Sequence, residues 1–149
     1  MFYATRSGSS EIFHWYYGQG GAEFFKARGE QNYEGQTIEH IACMTRETDD
    51  IINSIKPRAD IRDYHGNLPL FYALKRDDLQ LVTKLFKKGR DYYNIRNYRN
   101  QTIFHIAAKT NALESLKVLI NGSSFSDEIL KKDYKGNTPL HIAAKRGSI

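Results

Sequence analysis

Residues 133–143 have the sequence DYKGNTPLHIA, and the same order of residue types returns at three earlier places in the chain. The other copies are NYEGQTIEHIA at 32–42, DYHGNLPLFYA at 63–73 and NYRNQTIFHIA at 97–107. Their first residues lie 31, 34 and 36 positions apart along the chain. A pattern that recurs at such a spacing predicts a repeat protein, in which each unit buries its apolar face only against its neighbours.

Each copy combines the residues of a tight turn with those that start a helix. Its first residue, Asp or Asn, can hydrogen-bond the nearby backbone, and its fourth, Gly or Asn, tolerates the left-handed conformation. Thr138 then suits a helix N-cap and Pro139 the first helical turn, and Thr37 and Thr102 repeat the cap without proline. We therefore predict hairpin tips at Tyr33–Glu34, Tyr64–His65, Tyr98–Arg99 and Tyr134–Lys135.

A second helical pattern follows two of the copies. In residues 79–86 (LQLVTKLF) and 113–120 (LESLKVLI) the apolar residues recur at helical spacing, and Gly89 and Gly122 follow as typical helix stops. Leu116 and Leu119 are predicted to lie between neighbouring helices. The predicted unit is thus a turn, a short helix, a second turn, a longer helix and a linker.

This unit resembles the ankyrin repeat, most clearly in the stretch GNTPLHIAA at 136–144. The resemblance implies an all-α solenoid of stacked helix-turn-helix units with β-hairpin-like tips. It implies a single domain over residues 1–149. The parts are a degenerate partial repeat at 1–31, repeats at 32–62, 63–96 and 97–132, and a truncated repeat at 133–149.

Several residues depart from the family pattern. Glu39 stands where the family has a buried leucine, and Leu68 and Phe71 replace its usual threonine and histidine. Asp77 and Asn111 take the place of the glycine between the two helices of a repeat. The repeat at 32–62 fits the pattern least well.

Three histidines, His40, His105 and His141, occupy the same place in their copies. The resemblance implies that each ring bonds the cap hydroxyl and the backbone of a neighbouring loop. Three such positions along a solenoid would not converge on one metal ion, and no nucleophile and base stand at catalytic spacing. The sequence thus predicts no enzyme, no metal site and no cofactor.

Charge, cysteine content and hydrophobicity indicate the cellular compartment in which the chain is expected. The net charge is +5, with a balance of −2 over residues 1–62 and +7 over residues 63–149. Cys43 is the only cysteine, which excludes an internal disulfide and favours a reducing compartment; its small-residue position favours a buried, inert thiol. No apolar run reaches the roughly 18 residues of a membrane span. We expect a cytoplasmic protein, with nuclear entry left open.

Tyrosines and basic residues form the candidate binding surface. The resemblance implies that the tip positions are exposed and used for partner contact, and that the ends of the first helices face the ligand. Tyrosine suits such contact because it offers a large rigid area with a polar tip. Two alternatives stay open: the rings pack only on one another, and the basic residues form a solvated surface with no specific role. The candidate site residues are Tyr33, Tyr64, His65, Lys75, Arg76, Tyr98, Arg99, Lys109, Tyr134, Lys135, Lys145 and Arg146.

The resemblance implies a protein–protein interaction module whose concave aromatic and basic face binds an acidic or partly acidic segment of another protein. The short array and its Ile, Asn and Lys content resemble the compact ankyrin proteins of viruses and intracellular bacteria, which favours a modulator of host signalling. Two alternatives stay open. One is a nucleic-acid-binding protein that uses the basic C-terminal half, and the other is a fragment of a larger ankyrin-containing channel or toxin. An uncapped last repeat would also allow self-association.

Overall fold

The computed structural model describes residues 29–45, 61–86, 92–120 and 125–147. Its helices are α1 (Ile38–Met44), α2 (Pro69–Arg76), α3 (Leu79–Phe86), α4 (Ile103–Thr110), α5 (Leu113–Ile120), α6 (Phe125–Glu128) and α7 (Pro139–Arg146). Helices α1, α2, α4 and α7 pack one on the next as an inner row, and α3 and α5 form an outer row behind α2 and α4. These ranges contain helices and turns without strands, so the all-α solenoid is confirmed. The degenerate repeat up to residue 28 and the stops at Gly89 and Gly122 lie outside the described residues.

The predicted turns precede all four inner helices. The carboxylate of Asp63 accepts hydrogen bonds from the backbone N–H groups of His65 and Asn67, both at 2.8 Å. The equivalent bonds are accepted by Asn32, Asn97 and Asp133. Because one side chain satisfies two backbone donors, these short polar residues stabilise the tips through local hydrogen bonds.

The fourth residue of each copy takes the left-handed conformation that its turn requires. Gly35, Gly66 and Gly136 have φ angles of 73°, 76° and 79°. Asn100 has a φ of 58° at the equivalent place, where a short polar side chain is tolerated. The choice of Gly or Asn at this position therefore follows from the backbone.

Small residues let the inner helices approach closely, and larger ones fill the space behind them. Ala73 and Ala107 are buried at the end of the pattern in α2 and α4. In the outer row Leu85 and Leu119 are fully buried. Leu116 is partly buried and packs against this core, so both leucines contact neighbouring helices but Leu119 lies deeper.

The turn between the inner and outer helices uses Asp and Asn where the family has glycine. Asp77 and Asn111 adopt φ angles of 51° and 55°, a region these residues tolerate. The carboxylate of Asp77 also accepts hydrogen bonds from the Ser115 backbone N–H at 3.0 Å and from its hydroxyl at 2.5 Å. A residue that ends α2 thereby satisfies a donor in the first turn of α5, in the next repeat.

Two of the three patterned histidines join adjacent repeats in the way the resemblance implied. The Nδ1 atom of His40 accepts from the Thr37 backbone N–H at 3.1 Å, and its Nε2 atom lies 3.1 Å from the carbonyl oxygen of Asn67. Since Nδ1 accepts, the ring proton is on Nε2, which donates to that carbonyl. His105 makes the same contacts with Thr102 and, at 3.0 Å, with Asn137. Burial lowers the pKa of both rings, which keeps them neutral.

The repeat at 63–96 joins its successor differently. Leu68 and Phe71 stand at the threonine and histidine positions, and both are buried in the core. Polar contacts at this joint come from other residues: the side-chain amide of Asn97 donates to the side-chain oxygen of Asn67 at 3.0 Å, and Ser115 bonds Asp77. This joint thus relies on apolar packing where the joints on either side use a histidine.

Candidate functional site

The four tips form one continuous row. The backbone N–H of Tyr64 donates to the carbonyl of Glu34 at 3.1 Å, that of Tyr98 to His65 at 3.0 Å, and that of Tyr134 to Arg99 at 3.0 Å. These bonds set each tip beside the one before it. The tyrosine at each tip therefore has a fixed place relative to its neighbours.

The tyrosine rings rest on the preceding turns and still face solvent. A methyl group added to Gly66 would lie 2.7 Å from Cδ1 of Tyr98, so the ring covers this glycine. Tyr64 covers Gly35 in the same way. Even so, 64% of Tyr64 and 72% of Tyr98 remain exposed. One face of each ring thus packs on a turn while much of the side chain stays available for contact.

Two adjoining cavities lie between the tips of the middle repeats and the inner helices α2, α4 and α7, and together we call them the central groove. The first has a volume of about 390 Å³ and is lined by Tyr64, His65, Asn67, Lys75, Asn97, Tyr98, Arg99, Gln101, Ile106 and Lys109. The second has about 430 Å³ and is lined by Lys75, Ile106, Lys109, Thr110 and Arg146. The structure therefore brings together seven of the predicted site residues.

Among the residues that line the central groove, every charged side chain is basic. The ammonium group of Lys75 lies 4.1 Å from the centre of the Tyr72 ring, a cation–π contact that holds it at the groove wall. Burial is the largest cause that lowers the pKa of Lys75; the Asp63 carboxylate opposes this, and the charges of Lys109 and Arg99 add to it. The groove is thus a concentrated positive site that an anionic group would stabilise.

A tyrosine–carboxylate pair supports the wall beneath Lys75. The Tyr72 hydroxyl donates to the Asp63 carboxylate at 2.5 Å. Burial, with this bond, raises the pKa of Tyr72 to about 12. Burial alone would raise the pKa of Asp63, but bonds from Tyr72, Asn67 and His65 outweigh it and lower the pKa. A neutral phenol and a bound carboxylate are suited to support and not to proton transfer at neutral pH.

Arg76 does not join the basic surface, contrary to the prediction. Its guanidinium donates to the carbonyl oxygens of Cys43 and Thr45 and forms a 3.2 Å ion pair with Asp78. Arg76 therefore links α2 to the end of α1, since these carbonyl oxygens belong to the preceding repeat. Cys43 itself is fully buried, and burial raises the pKa of its thiol, in agreement with an inert role.

Four other predicted residues lie at the two ends of the row and not in the central groove. Tyr33 is fully exposed at the first tip. Tyr134 and Lys135 form the last tip, where the Lys135 ammonium lies 5.5 Å from the Tyr134 ring centre. Lys145 is exposed near the end of α7. These residues could only contact a partner that extends beyond the middle repeats.

The sequence prediction missed several uncharged residues of the groove. Ile106 forms part of both cavities, and Thr110, Asn67, Asn97 and Gln101 line one of them. Ile106 stands at the same place in its copy as Tyr72, directly after the position of the patterned histidine. Comparison of equivalent positions across the copies would have placed it beside Lys109, one helical turn away on the same face.

The part of the chain that the structure describes contains neither a candidate metal site nor a candidate membrane span. No group of three or more His, Cys, Asp or Glu side chains there could hold a metal ion. No helix there is long and apolar enough to cross a membrane.

The class that this fold defines is a helical-repeat protein with a basic groove beside its inner helices. A family model of ankyrin repeats, spanning three copies, matches residues 78–149. The chain is 33% identical over 92 residues to putative glutaminase 2 of Caenorhabditis elegans, in an alignment that covers 62% of this chain and 15% of that protein. Residues 78–149 are therefore ankyrin repeats, and the all-α repeat fold of the described residues agrees with that family.

Two human proteins extend the comparison. Ankyrin repeat and SOCS box protein 3 is 35% identical over 75 residues, which is 50% of this chain and 14% of that protein. NF-kappa-B inhibitor alpha is 24% identical over 123 residues, which is 80% of this chain and 38% of that protein. The chain therefore spans only a minor part of these relatives. Ankyrin repeats are in general protein–protein interaction modules and not enzymes, and the enzyme named above shares only the aligned segment.

Proposed function

We propose that this chain is a protein-binding module and that the central groove holds an acidic segment of the partner. The observation that carries this proposal is the composition of the groove. Tyr64 and Tyr98 expose most of their surface beside Lys75, Arg99 and Lys109, with no acidic side chain among the lining residues. Such a surface complements carboxylates in charge and apolar side chains in shape.

The two kinds of residue would contribute differently to binding. The tyrosines are large, half-fixed by the turns beneath them, and lose little conformational entropy on contact. The cations would speed association and set the register of the partner, while adding less to affinity because they remain partly hydrated. We therefore assign the affinity chiefly to Tyr64 and Tyr98 and the selectivity chiefly to Lys75, Arg99 and Lys109.

The finer parts of the sequence-based function remain predictions. Nothing in the comparisons points to a virus or a bacterium as the source, so the role in host signalling has no support beyond the resemblance. The nucleic-acid alternative shares the basic groove and is decided by the experiment below. Location in the cytoplasm, membership of a longer channel or toxin, and self-association through the last repeat likewise remain untested.

The test selects peptides from a random display library on the purified chain, with no composition imposed. We expect the recovered peptides to be enriched in Asp and Glu and to bind in the central groove. Tyr98→Ala and Lys109→Ala should each weaken binding by roughly 1–3 kcal/mol, as measured by titration calorimetry. Lys117→Ala is the matched control, because Lys117 is an exposed cation on the outer helix α5, where it pairs with Glu114.

Two results would contradict the proposal. Peptides that bind the Tyr98→Ala and Lys109→Ala variants as tightly as the unaltered chain would place the partner site elsewhere. A single-stranded oligonucleotide that binds more tightly than any selected peptide, with affinity falling steeply as salt rises, would favour the nucleic-acid alternative. Circular dichroism of each variant separates loss of binding from loss of the fold.

A further inference from the structure

The inner helices each carry one residue at an equivalent position near the C-terminal end of the helix. Two residues after the alanine that closes each copy stand Met44, Lys75, Lys109 and Lys145. Met44 has 43% of its surface exposed, and Lys75 and Lys145 are exposed as well. Next to Lys145 in the sequence, Arg146 lines the groove. Three successive inner helices thus each supply a basic side chain to the groove, and the helix before them carries an exposed methionine at the equivalent position.

Helix-end electrostatics explain why lysine is common there but not why the side chains converge. A cation in the last turn complements the negative end of the helix dipole, wherever it points. Here Lys75 and Lys109 line the same two cavities. The charge of Lys109 is close enough to lower the pKa of Lys75. Arg146 borders the second cavity from α7. The row therefore behaves as one ladder of positive charge across three repeats.

The spacing of this ladder selects a backbone conformation for the ligand. Packed helices lie about 8–10 Å apart, so successive basic positions are separated by about that distance. A polyproline II segment rises about 3.1 Å per residue with three residues per turn, so side chains at i, i+3 and i+6 share one face about 9 Å apart. In a β-strand, residues i and i+3 point to opposite faces, so a strand does not match the ladder.

We propose that the central groove recognises an acidic segment in the polyproline II conformation whose carboxylates recur at every third residue. This inference rests on the proposed function and adds the register of the partner to it. The carboxylates at i, i+3 and i+6 face Lys75, Lys109 and Arg146, which line the groove from three successive inner helices. At position i−3 of the bound segment, three residues before the carboxylate that faces Lys75, an apolar side chain faces Met44.

The test compares two proline-rich peptides of identical composition against the whole chain, using fluorescence anisotropy. The ladder peptide carries Glu at i, i+3 and i+6, and the permuted peptide carries Glu at i, i+2 and i+4. The ladder peptide should bind about tenfold more tightly, since the permuted one aligns a single carboxylate and loses two partly exposed ion pairs. Equal affinities, or tighter binding of the permuted peptide, would overturn the inference.

A charge exchange tests the register at its middle position. Lys109→Glu should weaken the ladder peptide about tenfold, and a ladder peptide with Lys at i+3 should recover that loss on the same variant. Lys117→Glu, on the outer helix, should leave the affinity of both peptides unchanged. Circular dichroism verifies that the variants fold. Failure of the Lys-containing peptide to recover binding to the Lys109→Glu variant would overturn the inference.

The outcomes separate this inference from the function on which it rests. If both peptides bind equally and both lose affinity in Lys109→Ala, the groove binds acidic segments but does not read their spacing. If neither peptide binds while library-selected acidic peptides do, the polyproline II register is wrong and the proposed function stands. If the selected peptides also bind the Tyr98→Ala and Lys109→Ala variants as tightly as the unaltered chain, both the polyproline II register and the proposed function are wrong.

Discussion

The joint that follows the repeat at 63–96 differs from the joints on either side of it. At the flanking joints a buried neutral histidine, His40 or His105, donates to the backbone of the next repeat. At the middle joint Phe71 fills the same position with an apolar ring that is fully buried. The solenoid therefore accepts either a satisfied polar network or an apolar side chain at this place, because in both cases no buried polar atom of that side chain lacks a partner.

The two kinds of joint should respond differently to mutation and to acid. A histidine joint depends on a few directional bonds, each worth about 0.5–1.5 kcal/mol net. An apolar joint depends on filled volume, and truncation there removes buried surface and leaves a cavity. Only the histidine joints place a buried titratable side chain at this position of the repeat.

The largest effect is expected from emptying the apolar joint. Phe71→Ala should lower the free energy of unfolding by about 3–5 kcal/mol, as for other buried phenylalanines. His105→Ala should cost less, about 1–3 kcal/mol, because it leaves the Asn137 carbonyl and the Thr102 donors short of one partner. Urea unfolding of both variants measures the difference, and a His105→Ala loss that exceeds the Phe71→Ala loss would reverse the comparison.

The turns provide the next contrast. Gly66→Ala should cost about 2–4 kcal/mol, because alanine is strained at a φ of 76° and its methyl group would overlap the Tyr98 ring. Gly136→Ala should cost only about 1–2 kcal/mol, since φ is similar but no described atom lies within 4 Å of the added carbon. Thermal melts of the two variants should therefore be well separated. Equal losses would mean that the Tyr98 ring does not rest on Gly66.

A histidine joint should also be transferable to the middle repeat. The Gln101 carbonyl there accepts from the Asn97 backbone as the Asn67 carbonyl does from Asp63, so an equivalent acceptor is in place. In a double-mutant cycle, Leu68→Thr and Phe71→His should be less destabilising together than the sum of the single changes, by about 0.5–1.5 kcal/mol. A coupling energy of zero would show that the acceptor is out of reach.

The last prediction concerns acid stability. Burial lowers the pKa of His40 and His105 in the folded chain, so below their ordinary value of 6.5 the unfolded chain binds protons that the folded chain excludes. Stability should therefore fall as pH drops below about 6.5. The pKa of Asp63 is also lowered, so its contribution is lost only as pH falls below 3.8.

Replacement of the flanking histidines isolates the first of these steps. His40→Phe and His105→Phe together convert both joints to the apolar type. The double variant should lose no stability between pH 7 and 5, while the loss of stability caused by protonation of Asp63 at lower pH remains. Denaturant unfolding at a series of pH values provides the measurement. An unchanged pH profile in the double variant would mean that other groups cause the acid loss.

The sequence predicted those parts of the molecule that depend on local chemistry. The tips at Tyr64–His65 and Tyr98–Arg99, and the bounds of α3 and α5, agree with the structure because turn residues and helical spacing act within a few positions. The roles of His40 and His105 came from the family resemblance, which supplied a partner in the next repeat that no local pattern indicates.

Contacts that reach across repeats without recurring were missed. Asp77 bonds Ser115, 38 residues away, and neither residue has a counterpart with that chemistry in the other copies. Arg76 resembled a surface cation by its place at a helix end, yet its donors bind the carbonyl oxygens at the end of α1. Such pairings depend on how two repeats are rotated against each other, which periodicity does not determine.

The central claim is that partners bind in the groove between the middle repeats, and amide chemical-shift mapping tests it most directly. The ¹⁵N-labelled chain is titrated with the tightest peptide from the random library, and shifts are assigned to residues. We expect the largest shifts at Tyr64, Tyr98, Ile106 and Lys109, with little change on the outer helices. Shifts confined to α3 and α5, with the groove residues unmoved, would contradict it.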